Sequence, residues 1–301
     1  MDYKIIELME NLPEPLSTQH INLVCDSGAF NGSYLLGCMQ YLKELEKKRF
    51  IKINKLSGSS IGSLLSFLYI IDKLDDYKTS YKDIRNGFKN DFCLKSFKKI
   101  LNLFFSNLDK DTYKKLNNKL YINYYNINTN KEVIVSSYNN NNDIKEAILS
   151  SSFIPYIMNG ELCYNGNIDG INPYIFKERT VDDNKILFIR LTSYGKLKKM
   201  LNIKGEHNYS ERMLEGILDT HRFFKGDPSK LCSWVNNWGI TDYVAFRLRQ
   251  IFWLTVVLCC YILNKIKPYI PNFIINNKIV NTLSDFIHKI YQDIFIIFYN
   301  S

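Results

Sequence analysis

Three short stretches carry the residue types that acyl transfer needs. Gly58-Ser59-Ser60-Ile61-Gly62 has the pattern G-x-S-x-G, and only Ser60 has glycines at both minus two and plus two. Where a strand feeds a helix through such a turn, the serine is held in a strained backbone conformation with its Oγ exposed. The glycines let neighbouring backbone approach without a Cβ in the way. The next N–H, that of Ile61, points into the site at a helix N-terminus, where developing negative charge is stabilised. Alone, G-x-S-x-G is a weak signal, because Gly/Ser loops are common. The second stretch is Asp26-Ser27-Gly28-Ala29-Phe30-Asn31-Gly32, whose small residues allow backbone N–H groups to approach an anion. An oxyanion loop and a dinucleotide-binding loop use the same physics, although the full G-x-G-x-x-G is missing and no ribose-binding acid stands out. The third is Asn167-Ile168-Asp169-Gly170, which on its own reads as a surface turn. No histidine adjoins any of these stretches, so a serine nucleophile needs another base. A desolvated carboxylate with a raised pKa can take that role.

The elements around these stretches must present them side by side. Ile21 to Cys25 is a compact apolar run and reads as a buried strand. After the Asp26–Gly32 stretch, Leu35, Met39, Leu42 and Leu45 fall close to helical spacing, and lysines crowd the last turn. Ile51 to Leu56 is a second strand, followed by the G-x-S-x-G turn and an apolar helix from Ile61. This strand–turn–helix pair predicts an α/β sheet with parallel strands. Residues 74 to 118 read as surface helices. Residues 121 to 137 read as a hairpin turning at Asn128 to Asn130. Asp143 and Glu146 predict a capping box for a helix that stops before Pro155. Ile186 to Leu191 is a further buried strand.

At 301 residues the chain is long enough for one large domain with an appendage. A net charge of +9 suits either a lysine-rich soluble surface or attraction to an anionic one. Zinc-finger spacing, an RNP aromatic signature and a basic heptad region are all missing, so no nucleic-acid partner is expected. Seven cysteines without a C-x-x-C pair, and an acidic N-terminus without a signal-peptide core, point to a reduced, cytosolic-type compartment. The four histidines lack ligand spacing, so neither a metal nor a cofactor is expected.

Taken in order, S-G-A-F-N-G, G-S-S-I-G and D-G-I resemble the motifs of the patatin-like phospholipases. A-I-L-S-S-S-F-I-P-Y and I-N-P-Y resemble further segments of that family, and the likeness runs over about residues 20 to 192. The resemblance implies a three-layer α/β/α fold with a mostly parallel central sheet. It implies Ser60 as nucleophile and Asp169 as its base, acting on glycerolipid esters. It places the oxyanion hole at the backbone N–H groups of Gly28 and Ala29, with Ile61 as a further donor, and makes Gly32, Gly58, Gly62 and Gly170 motif positions. Three positions depart from the family pattern: the glycine triplet is Ser27-Gly28-Ala29, the usual basic residue of that loop is Asn31, and Ile171 stands where Gly or Ala is usual. An alanine keeps its backbone donor without strain only at negative φ.

The chain thus divides into a lead-in at 1–19, a catalytic domain at 20–192 and a helical region at 193–301. In the last, Ile251 to Leu263 is apolar apart from Thr255, with Arg247 and Arg249 before it and Lys265 and Lys267 after. It is short for a bilayer span and reads either as a core helix or as an interfacial or membrane-inserted helix that attaches the protein, peripherally or integrally, at the cytoplasmic face of a membrane. Leu283 to Ile297 carries an amphipathic stripe. Two other functions stay open: a catalytically silent lipid-binding protein of the same fold, and an α/β-hydrolase triad of Ser60, Asp169 and either His207 or His221.

Overall fold

The computed structural model describes residues 2–13, 15–91, 94–176, 184–192, 208–266 and 269. Its centre is strand β1 (Gln19–Cys25), which pairs in parallel with β2 (Ile51–Gly58) on one side and β6 (Lys185–Ile189) on the other. The path of the sheet is β4-β3-β2-β1-β6-β7, where β3 is Leu120–Asn126, β4 is Lys131–Val135 and β7 is Cys232–Trp234. The short β5 (Asn167–Asp169) pairs antiparallel with β3. The expected parallel α/β sheet and the 121–137 hairpin are therefore both present.

Side chains of the central strands are buried on both faces, as parallel strands require. Leu23 and Cys25 of β1, with Leu187 and Ile189 of β6, join the large core cluster on one face. Val24 and Phe188 alternate to the other face and meet Phe176, Val235 and Phe246. The sheet is thus covered on both sides. Phe246, far beyond the strands, helps close the second side.

Helix α1 (Asp2–Met9) lies in the stretch read from sequence as a polar lead-in. Ile5, Met9 and Leu12 are buried, and their spacing of three to four residues puts one narrow apolar stripe on the core. Helices α2 (Gly32–Lys47) and α3 (Ile61–Ile70) follow β1 and β2. Next come α4 (Asp76–Asp91), α5 (Lys95–Ser106), α6 (Thr112–Leu116) and α7 (Asn141–Ser151). The cap of α7 is Asn140, whose side chain accepts from the Asp143 N–H at 3.1 Å, while Asp143 accepts from the Asn139 N–H at 2.8 Å. The box predicted at Asp143 and Glu146 therefore sits three residues earlier. Glu146 instead accepts from the Tyr164 hydroxyl at 2.8 Å.

Beyond residue 192, β7 extends the sheet and α8 (Asn208–Lys225) lies along α2. Their backbones touch at Gly37 and Gly216: a Cβ on Gly37 would stand 2.0 Å from the Met213 carbonyl oxygen, and one on Gly216 would stand 2.1 Å from that of Tyr34. The last described helix, α9 (Ile240–Ile266), is 27 residues long, twice the apolar run visible in sequence. Only 17% of its most apolar window is buried, which removes the core-helix reading of Ile251 to Leu263. The stripe at 283–297 lies outside the described residues.

Candidate active site

The sheet explains why the three stretches meet. Cys25 pairs with Gly58, so the chain leaves β1 and β2 at the same height and the two strand-to-helix turns emerge together at their carboxyl ends. Such an edge is the usual place for a site in an open α/β sheet. Gly58 also pairs with Ile122 of β3, and Tyr124, two residues on, faces Asp169 of β5. Asp169 is thereby delivered to the same edge from the other direction.

At the elbow, Ser60 adopts φ 54° and ψ −126°, a conformation that L-residues seldom take, at the N-terminus of α3. Strain of this kind amounts to about 1–3 kcal/mol and persists only where the surroundings over-determine it. They do so here. A Cβ on Gly58 would stand 2.4 Å from the Gly62 carbonyl, and one on Gly62 would stand 2.5 Å from the Cys25 carbonyl oxygen and 2.6 Å from that of Asp26. The Ser60 N–H donates to Ser151 Oγ at 2.9 Å, and Ser63 Oγ donates to the Ser60 carbonyl at 2.6 Å. Sequence reasoning had not singled out Ser151, which lies in the A-I-L-S-S-S segment.

Asp169 is 4% exposed. Burial raises its carboxyl from 3.8 to about 6; the Ile171 N–H, the hydroxyls of Ser60 and Ser59, and the Arg249 charge all pull it back. Ile171 donates to Oδ1 at 2.7 Å and Ser59 Oγ to the same oxygen at 3.2 Å. A carboxylate of this strength is charged at pH 7 yet basic enough to accept a proton. His221 is occupied elsewhere: its Nδ1 lies 2.9 Å from the Tyr41 hydroxyl, and burial lowers its pKa. His207 lies outside the described residues.

The Asp26–Gly32 stretch is built differently. Gly28 is extended at φ 178°, and Ala29 takes φ 45°, so the alanine is held in the left-handed region. Among the described residues, the N–H groups of Gly28, Ala29 and Ile61 have no backbone acceptor. Asn31 faces inward and donates through Nδ2 to the Leu191 carbonyl at 2.9 Å. Ser60, Ile61 and Ala29 border an apolar pocket walled by Phe30, Tyr81 and Phe97, with about 60 Å³ of free space. That volume holds about two methylenes as it stands, taking about 30 Å³ for each water-sized group.

A family model described as Patatin-like phospholipase matches residues 23–187, more than half of the chain. The chain belongs to the patatin-like phospholipase family. Family membership and the observed sheet agree with the fold read from the motifs. It makes the chain a member of a lipid acyl hydrolase family with lipid as the substrate class. No curated protein matches the chain. Helices α8 and α9 lie beyond the matched segment, and α9 reaches the site: Trp253 Nε1 donates to the Asp169 carbonyl at 3.0 Å. In sequence Arg249 was legible only as a flank of an apolar run and Trp253 only as a member of it.

Proposed function

We propose that this patatin-like protein hydrolyses the acyl esters of glycerolipids through a Ser60–Asp169 dyad. The observation that carries the reading is the strained Ser60 elbow beside a buried carboxylate of pKa about 6, at the mouth of an apolar pocket. Ser60 Oγ attacks the ester carbonyl carbon while Asp169 takes its proton. The tetrahedral oxyanion is held by the N–H groups of Gly28, Ala29 and Ile61. Collapse breaks the C–O bond to the glycerol oxygen, which leaves with the proton from Asp169. Water, deprotonated by Asp169, then attacks the acyl-enzyme and releases the fatty acid and Ser60. Residues 20–192 carry this chemistry and residues 193–301 attach it to a membrane. Helix α9 supports the second part: Leu248, Ile251, Phe252 and Leu258 are exposed, and Ile240–Ile262 is long and apolar enough to cross a bilayer. Free cysteines at 25, 38, 163, 232, 259 and 260 suit the cytoplasmic face.

A second reading, a silent lipid-binding protein of the same fold, is favoured by Ala29 at φ 45° and by Ser59, whose hydroxyl competes with that of Ser60 for Asp169 at 3.2 Å. The two separate on mixed phospholipid vesicles analysed by mass spectrometry. Wild type releases fatty acid, and Ser60→Ala lowers the rate by a factor on the order of 10⁴ or more. Equal rates in the two proteins would rule the dyad out.

A further inference from the structure

Two arginines from beyond the family-matched segment reach the Asp26–Gly32 loop, which contains no basic residue. Arg212 on α8 donates through Nη1 to the Phe30 carbonyl at 3.3 Å. Arg249 on α9 holds more. Its Nη2 lies 2.8 Å from Asp26 Oδ1, its Nη1 2.9 Å from Asp26 Oδ2, and its Nε donates to Asn172 Oδ1 at 2.7 Å. Nη1 also bonds the Thr192 hydroxyl. Asp26 is fully buried and accepts in addition from the Leu191 N–H at 3.0 Å and the Thr192 hydroxyl at 2.7 Å. Asn172 in turn donates to the Phe246 carbonyl, and its own carbonyl accepts from Asn123 of β3.

A guanidinium is a rigid planar fork. Its two sides here grip the residue just after β1, where the oxyanion loop begins, and the residue three past Asp169, in the turn after β5. Both grips close only at one separation of those two segments. Trp253, four residues on and so on the same face of α9, adds the bond to the Asp169 carbonyl. Arg249 acts on the chemistry by position, through Asp26 and Asn172, and by charge, since it lowers the Asp169 carboxyl.

We infer that Arg249 is a positioning residue, holding the oxyanion loop and the Asp169–Gly170 turn in register so that the donors and the base face the same acyl group. The inference rests on the Ser60–Asp169 reading. It makes α9 part of the working site as well as a membrane attachment, and it places a determinant of turnover more than sixty residues beyond the family-matched segment.

The test uses full-length wild type, Ser60→Ala, Arg249→Met, Arg249→Lys and, as a control on the same helix, Arg247→Met. Each is assayed on a soluble short-chain p-nitrophenyl ester for kcat, KM and pH dependence, alongside a thermal melt that gives the folded fraction. Arg249→Met is expected to lower kcat per folded molecule about a hundredfold while KM changes less than about threefold. Its acid limb should move to higher pH. The groups acting on Asp169 are the Ile171 N–H, the Ser60 and Ser59 hydroxyls and the Arg249 charge, and the variant removes the charged one. Arg249→Lys keeps the charge but not the fork, so it should retain the wild-type acid limb at a kcat about tenfold down. Arg247→Met should match wild type. A purely structural role would lower the melting temperature and leave kcat per folded molecule and the acid limb unmoved, which overturns the inference. If Arg249→Met does not fold, wild-type kcat in Arg249→Lys overturns it equally. In either case Ser60-dependent turnover by wild type leaves the dyad reading intact, whereas wild-type turnover no faster than that of Ser60→Ala removes both.

Discussion

The two strand-to-helix turns at the edge of the sheet face each other and are held in opposite ways. The elbow at Gly58–Gly62 is fixed mainly by close backbone packing: Gly58 abuts Gly62, Gly62 abuts the carbonyls of Cys25 and Asp26, Ser63 bonds back to Ser60, and Ser151 accepts from the Ser60 N–H. The loop at Asp26–Gly32 is fixed from a distance. Asn31 bonds to Leu191, Phe30 to Arg212, and Asp26 to Leu191, Thr192 and Arg249. The strained Ser60 backbone is held by close backbone packing, Gly58 on Gly62 and Gly62 on the end of β1, together with the hydroxyls of Ser63 and Ser151. A loop that must keep N–H groups turned outward has no spare local partners, and the rest of the chain supplies them.

The largest effect should come from breaking the local half. Gly62→Ala puts a Cβ against two backbone carbonyls that cannot step aside. It is expected to destabilise by about 3 kcal/mol or more in chemical denaturation and to abolish Ser60 reactivity. A neutral Gly62→Ala would show that the elbow is not self-supporting.

Next comes Asp169, which bonds the elbow through Ser59. Its folded pKa of about 6 lies above the ordinary 3.8, so its charge disfavours folding above pH 6, and this penalty fades as pH falls through that value. Asp169→Asn should therefore be inactive but more stable than wild type by about 2–3 kcal/mol at pH 8. The gain should disappear near pH 4, as urea melts at the two pH values would read. A gain that persists at pH 4 would show that burial of charge is not its source.

The smallest effect is expected in the distant half. Asn31→Ala removes the bond to the buried Leu191 carbonyl and should lower stability by about 1–2 kcal/mol. With Asp26 still held by Arg249, kcat should fall by less than about tenfold. A loss as large as that of Gly62→Ala would erase the contrast between the two turns.

The same contrast decides what was legible in the sequence. The elbow, the strands around it and the Asp-Gly turn each carry a short local pattern, so pattern and order were enough to bring Ser60 and Asp169 forward as candidates. Helix α1 escaped because three buried residues among acidic neighbours leave a weak period. Helix α9 looked half its length because Arg247 and Arg249 interrupt its apolar character. Read alone, Arg249 was a membrane flank, since nothing local indicates that its partners are residues 26 and 172. Ser151 likewise reads as one of three serines until α7 sets it against the Ser60 N–H.

The central claim is that Ser60 is a nucleophile activated by Asp169. It is tested most directly by the rate at which a fluorophosphonate ester labels the folded protein, with the modified peptide located by mass spectrometry. The account predicts labelling at Ser60, a rate that rises through about pH 6, and near loss of labelling in Asp169→Asn despite its greater stability. Labelling at Ser59, or equal rates in wild type and Asp169→Asn, would contradict it.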